Sequence, residues 1–109
     1  MRRMGLVIGI KPGKIEEYKA YHAAVWPEVL AMITECNIKN YTIFLRKPEN
    51  LLFAYFEYHG TDYAADQAKM AADPKTQEWW EITNPMQQPL LSTSGEEWWA
   101  AADEVFHVD

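Results

Sequence analysis

Tyr18, His22 and Trp26 stand four residues apart within the segment 16–29. The apolar residues around them keep a helical beat. Ile15, Tyr18, His22, Val25, Trp26, Val29 and Ile33 recur at three- and four-residue steps, so a helix would put them on one face. Glu16, Glu17, Lys19 and Glu28 fall off that face or at its margin. An imidazole in the middle of an apolar stripe has two readings. One is a core histidine satisfied by a backbone carbonyl. The other is a general acid or base, because imidazole titrates near neutrality and an unsatisfied one there would be costly. Tyr18 adds a hydroxyl one turn before it, and Trp26 adds a flat wall one turn after.

Aromatic residues make up 14 % of the chain and include five tryptophans. Tyr41 in a strand and Trp79-Trp80 in a helix are ordinary packing residues by type. They are also what a neutral sugar needs: flat faces for its C–H side, with an indole N–H and a phenol O–H for its hydroxyls. Trp98-Trp99 have three open readings, as an exposed plug, a dimer contact or a pocket rim.

Other chemistries lack their residues. The five glycines are scattered and form no phosphate loop. His22, His59 and His107 have no metal-ligand spacing, so no metal is expected. Cys36 is the one cysteine; it allows no internal disulfide and has no His or Asn nearby in sequence to make it a nucleophile. A formal net charge of −6 argues against a nucleic-acid partner. No apolar run approaches the roughly 20 residues of a membrane span, and the basic Met1–Gly5 start lacks a secretory apolar region. The expectation is a soluble cytoplasmic protein with no membrane partner. Glu17, Glu28 and Glu57 are possible helpers for proton transfer.

The 109 residues suit one domain with one core, spanning 1–109. Residues 4–10 read as a strand. A helix from about 14 to 35 follows, with a kink or break expected at Val25-Trp26 because Pro27 lacks an N–H and clashes with the carbonyl of Ala23. Residues 38–46 and 51–58 read as a hairpin joined by Lys47-Pro48-Glu49-Asn50. A helical stretch after Gly60 ends at Asp73-Pro74, which also starts a new helix with Asp73 as N-cap and Pro74 at the first position. Residues 84–97 read as a loop and 104–108 as a final strand. The order β-α-β-β-α-β is the ferredoxin-like α+β arrangement, a four-stranded antiparallel sheet with helices on one face. The other face is apolar too, so a second copy is expected to cover it in a homodimer.

Several segments together resemble the L-rhamnose mutarotase family. They are Glu16-Glu17-Tyr18 with His22, Trp26-Pro27-Glu28, Asn40-Tyr41 with Ile43 and Leu45, Asn50–Ala54, Gln77 with Trp79-Trp80, and Glu104-Val105-Phe106. The resemblance implies a dimeric α+β barrel of the ferredoxin-like kind. It implies interconversion of the α and β anomers of a free 6-deoxy-hexose without a cofactor. The family's proton-donating histidine falls on His22, its sugar-contacting tyrosines on Tyr18 and Tyr41, and its tryptophan pair on Trp79 and Trp80. Trp26 is a possible further pocket residue. Residues 59–76 and 84–103 match poorly, so L-fucose or a related sugar is an alternative to L-rhamnose. A non-catalytic binding module and a cofactor-independent oxygenase are further alternatives on the same architecture.

Overall fold

The computed structural model describes residues 1–93 and 97–109. Strand β1 (Arg2–Ile10) lies inside the sheet. On one side it pairs antiparallel with β3 (Leu51–Tyr58), which pairs in turn with β2 (Ile38–Arg46). On its other side β1 meets two short strands in succession, β5 (Ala100–Ala102) opposite Gly5–Val7 and β4 (Gln87–Gln88) opposite Gly9 and Ile10. The expected fourth strand therefore exists in two pieces on one edge.

This corrects two expectations. Residues 104–108 form no strand; pairing stops at Ala102, and Phe106 is 80 % exposed. Within the stretch 84–97 read as a loop, Gln87–Gln88 form β4, and its residues 94–96 lie outside the described residues. Small residues meet on this edge of β1. A Cβ placed on Gly5 would sit 3.9 Å from that of Ala102, ordinary contact for two small residues side by side. Context of this kind overrides the β-propensity of Val105 and Phe106.

The expected long helix is two helices, α1 (Ile15–His22) and α2 (Pro27–Glu35). Proline sets the boundary. Trp26 is extended (φ −61°, ψ 136°), the conformation a following proline favours, and Pro27 is the first residue of α2, where a missing N–H costs nothing. Helices α3 (Tyr63–Ala72) and α4 (Pro74–Thr83) follow β3. Each has an aspartate N-cap: Asp62 accepts from the Ala65 N–H, and Asp73 from the N–H and hydroxyl of Thr76.

The strand pleat sorts the sheet into two faces. Ile8, Ile10 and Leu52 point toward α1 and pack with Ile15, Tyr18 and Met86. Phe56 and Tyr58 pack with Cys36, Ile38 and Met70 further along. The opposite face carries Phe44 directly across from Phe53, 60 % and 42 % exposed, beside Val7. No helix of the described residues is long and apolar enough to cross a membrane.

Candidate active site

Helix α1 ends at His22 because the chain must turn toward Pro27, so the imidazole sits at a helix end beside the cavity. Its Nδ1 lies 2.9 Å from the Tyr18 carbonyl oxygen. A carbonyl only accepts, so Nδ1 carries the proton and Nε2 of the neutral ring has the free lone pair. Burial pushes the His22 pKa down from 6.5, and the Tyr18 carbonyl opposes part of that shift. Near neutral pH the resting ring is therefore a base at Nε2.

The rings around His22 come from three elements. Tyr18 stacks on it at 4.1 Å with 24° between planes. Trp79 of α4 meets it edge-on at 5.3 Å. Trp26 reaches Trp79 from the link between α1 and α2, also at 5.3 Å. Because the helix breaks first, Trp26 arrives by the turn and not by helical periodicity.

Tyr18 and His22 line a cavity of about 330 Å³ between α1 and the sheet, floored by Ile10, Ile43, Leu45 and Leu52. That size and apolar lining suit a small ligand held by a few polar groups. The Tyr18 side chain is buried and its hydroxyl accepts from Nε2 of Gln87 at 3.2 Å. Burial raises the Tyr18 pKa and the Gln87 bond lowers it in part, leaving a net rise, so the phenol stays protonated.

Tyr41 is aimed by a backbone irregularity. The β2–β3 register shifts between Lys39 and Thr42, so Asn40 and Tyr41 together oppose Phe56. Asn40 takes a left-handed φ of 54°, which asparagine tolerates, and its amide donates to Glu57 at 3.0 Å. The Tyr41 ring packs 5.4 Å from Phe56. Although the residue is 40 % exposed, its phenol is desolvated and held well above its usual pKa, with the Tyr18 and Tyr63 phenols adding smaller upward shifts.

Trp80 turns away from His22. It packs against the Phe56 side of the core and lines a second cavity of about 540 Å³ with Gln77, Asn84, Gln87 and Trp98. Two of the three carboxylates named as helpers are engaged elsewhere. Glu17 pairs with Lys14, and Glu57 is held by Asn40, Tyr55 and His59. Glu28 lies exposed in the first turn of α2. Gln87 escaped the sequence reading, because a buried polar residue in a short strand leaves no periodic signal. Trp98 had no assigned role, yet its indole N–H donates to Oε1 of Gln87 at 2.6 Å.

A family model described as L-rhamnose mutarotase matches residues 3–108. A curated L-rhamnose mutarotase of Oceanobacillus iheyensis is 33 % identical over 111 residues, covering all of both chains. One of Phocaeicola vulgatus is 32 % identical over 115 residues, again covering both completely. Among solved structures, an L-rhamnose mutarotase from Formosa agariphila superposes with a TM-score of 0.78 at 20 % identity, covering both chains fully. Tetracenomycin F2 cyclase from Streptomyces glaucescens superposes with 0.71 at 16 % identity, also over both full chains, and shares the fold. With the family model spanning nearly every residue and full-length relatives at this identity, the chain belongs to the L-rhamnose mutarotase family.

Proposed function

We propose that the protein interconverts the α and β anomers of free L-rhamnose, with His22 as the group that moves the proton. The family membership gives the reaction and the sugar. The observation that carries the role of His22 is its tied Nδ1, which leaves one working nitrogen beside an apolar cavity.

Mutarotation opens the pyranose to the aldehyde, rotates it about C1–C2 and closes it on the other face. Opening takes a proton from the anomeric hydroxyl and gives one to the ring oxygen as the C1–O bond breaks. Both oxygens are bonded to C1. One Nε2 at that carbon can accept the first proton and, as imidazolium, donate it to the ring oxygen. Closure runs the same transfers in reverse. Such positioned acid–base catalysis contributes roughly 10²–10⁴-fold.

Tyr18 and Tyr41 serve as hydroxyl contacts to the sugar, and Trp79 and Trp26 as walls for its C–H faces. Trp80, the helix neighbour of Trp79, lines the second cavity and would contact the sugar only there. The apolar floor of Ile43, Leu45 and Leu52 suits the 6-deoxy methyl group.

We also propose that two copies dock through the exposed Phe44–Phe53 face. Its paired aromatics are the kind of apolar patch that marks an interface. The free thiol of Cys36 suits a reducing compartment, and the cytoplasm is the proposed location.

Polarimetry of freshly dissolved α-L-rhamnose tests the reaction. Acceleration of the approach to equilibrium by catalytic amounts of protein is the expected result. An unchanged rate would remove the activity. A parallel panel with L-fucose reads sugar preference.

A further inference from the structure

Three side chains from separate parts of the chain form a directed hydrogen-bond chain. The Trp98 indole N–H donates to Oε1 of Gln87 at 2.6 Å, and Nε2 of Gln87 donates to the Tyr18 hydroxyl oxygen at 3.2 Å. Gln87 is buried, and β4 fixes its backbone opposite Ile10. The direction of this chain follows from chemistry. An indole N–H only donates, so it must meet the amide oxygen. That turns the amide nitrogen toward Tyr18. An amide NH₂ only donates in its turn, so the phenol oxygen is the acceptor and its own proton is not spent on Gln87.

We propose that Gln87, oriented by Trp98, is a positioning residue that keeps the Tyr18 hydroxyl a hydrogen-bond donor to the sugar. The inference rests on the mutarotase reading above, since it assigns Tyr18 a sugar oxygen as acceptor. It also explains how a neutral site handles charge. With His22 Nε2 a base at rest, the pocket needs a separate O–H donor to hold a sugar oxygen, and Tyr18 supplies one whose direction is set before the sugar arrives. Glutamine is suited to this place because it is the side chain that accepts at one end and donates at the other. A glutamate there accepts at both ends and draws the Tyr18 proton away from the cavity.

The test compares wild type, Gln87→Glu, Trp98→Phe and Tyr18→Phe, together with the double variants Gln87→Glu/Tyr18→Phe and Trp98→Phe/Tyr18→Phe. L-Rhamnose binding is read by calorimetry and anomer exchange by saturation-transfer NMR, with circular dichroism as the check on folding. Misdirecting one buried hydrogen bond predicts a loss of roughly ten- to a hundred-fold for Gln87→Glu. The loss deepens as pH rises and the new carboxyl ionises, which a packing defect would not do. Trp98→Phe frees the amide to flip and gives a smaller loss in the same direction; it carries the test if Gln87→Glu does not fold. In the Tyr18→Phe background neither substitution has a further effect. Wild-type behaviour of Gln87→Glu and Trp98→Phe, or a loss that persists undiminished without the Tyr18 hydroxyl, overturns the assignment. If wild type binds the sugar without exchanging it, the activity reading falls while the binding cycle still decides the role of Gln87. If wild type binds no L-rhamnose, both fall.

Discussion

The Nδ1 of His22 is bonded to the carbonyl of Tyr18 at 2.9 Å, and the two rings stack at 4.1 Å. One contact thus sets the tautomer of the imidazole and the other its tilt. Both are consequences of an i, i+4 pair at the last turn of a helix.

The pH dependence follows from this pair. Burial holds the His22 pKa below 6.5, so the neutral base is the resting form near pH 7. Anomer exchange should rise with pH through that lowered pKa and level off toward neutrality. Stability should move the same way. The unfolded chain takes up a proton near 6.5 and the folded chain only lower. This contribution is therefore complete above 6.5 and is lost as pH falls through the folded value. NMR titration of the His22 ring gives the pKa directly. Urea melts of wild type and His22→Gln across that range check the linkage, which the variant should lack.

Trp79 is the packing hub of the site, touching Tyr21, His22 and Trp26. Trp79→Ala should cost about 3–5 kcal/mol of stability, as deletion of a buried aromatic does. Trp79→Phe should keep the fold and weaken sugar binding by leaving His22 and Trp26 less well supported. Urea denaturation and calorimetry separate the two effects.

Asn40 sets the direction of Tyr41. Asn40→Ala loses the bond to Glu57 and forces an alanine into a left-handed conformation, a penalty of about 1–2 kcal/mol. A higher KM should accompany it as Tyr41 shifts. Asn40→Gly keeps the conformation and should keep the KM closer to wild type. Paired thermal melts and exchange kinetics distinguish the outcomes.

Phe44→Glu places a charge in the centre of the exposed sheet face, opposite Phe53. Sedimentation should show a dimer for wild type and a shift toward single chains for the variant. A single-chain mass for wild type would remove the dimer.

Local chemistry made some of this architecture legible in sequence. Asp73-Pro74 announced the start of α4, Lys47–Asn50 the hairpin, and Pro27 the break after His22. The pairing of Tyr18 with His22 was legible as well, whereas Trp26 meets Trp79 by a turn that helical periodicity does not describe. What was hidden depends on contacts between distant residues. Ala100–Ala102 are poor strand formers by type, yet they pair with Gly5–Val7 of β1. Val105 and Phe106 look like a strand and have no partner there. Gln87 is polar, buried and isolated in sequence; its meaning comes from Tyr18 and Trp98, 69 and 11 residues away.

Saturation-transfer NMR between the α and β anomers of L-rhamnose, with wild type against His22→Ala, tests the central claim most directly. The account predicts rapid exchange with wild type. The variant should retain its fold and sugar binding and lose at least roughly 10²-fold in exchange, the lower end of what a positioned acid–base group contributes. A folded His22→Ala protein that exchanges the anomers at the wild-type rate would contradict it.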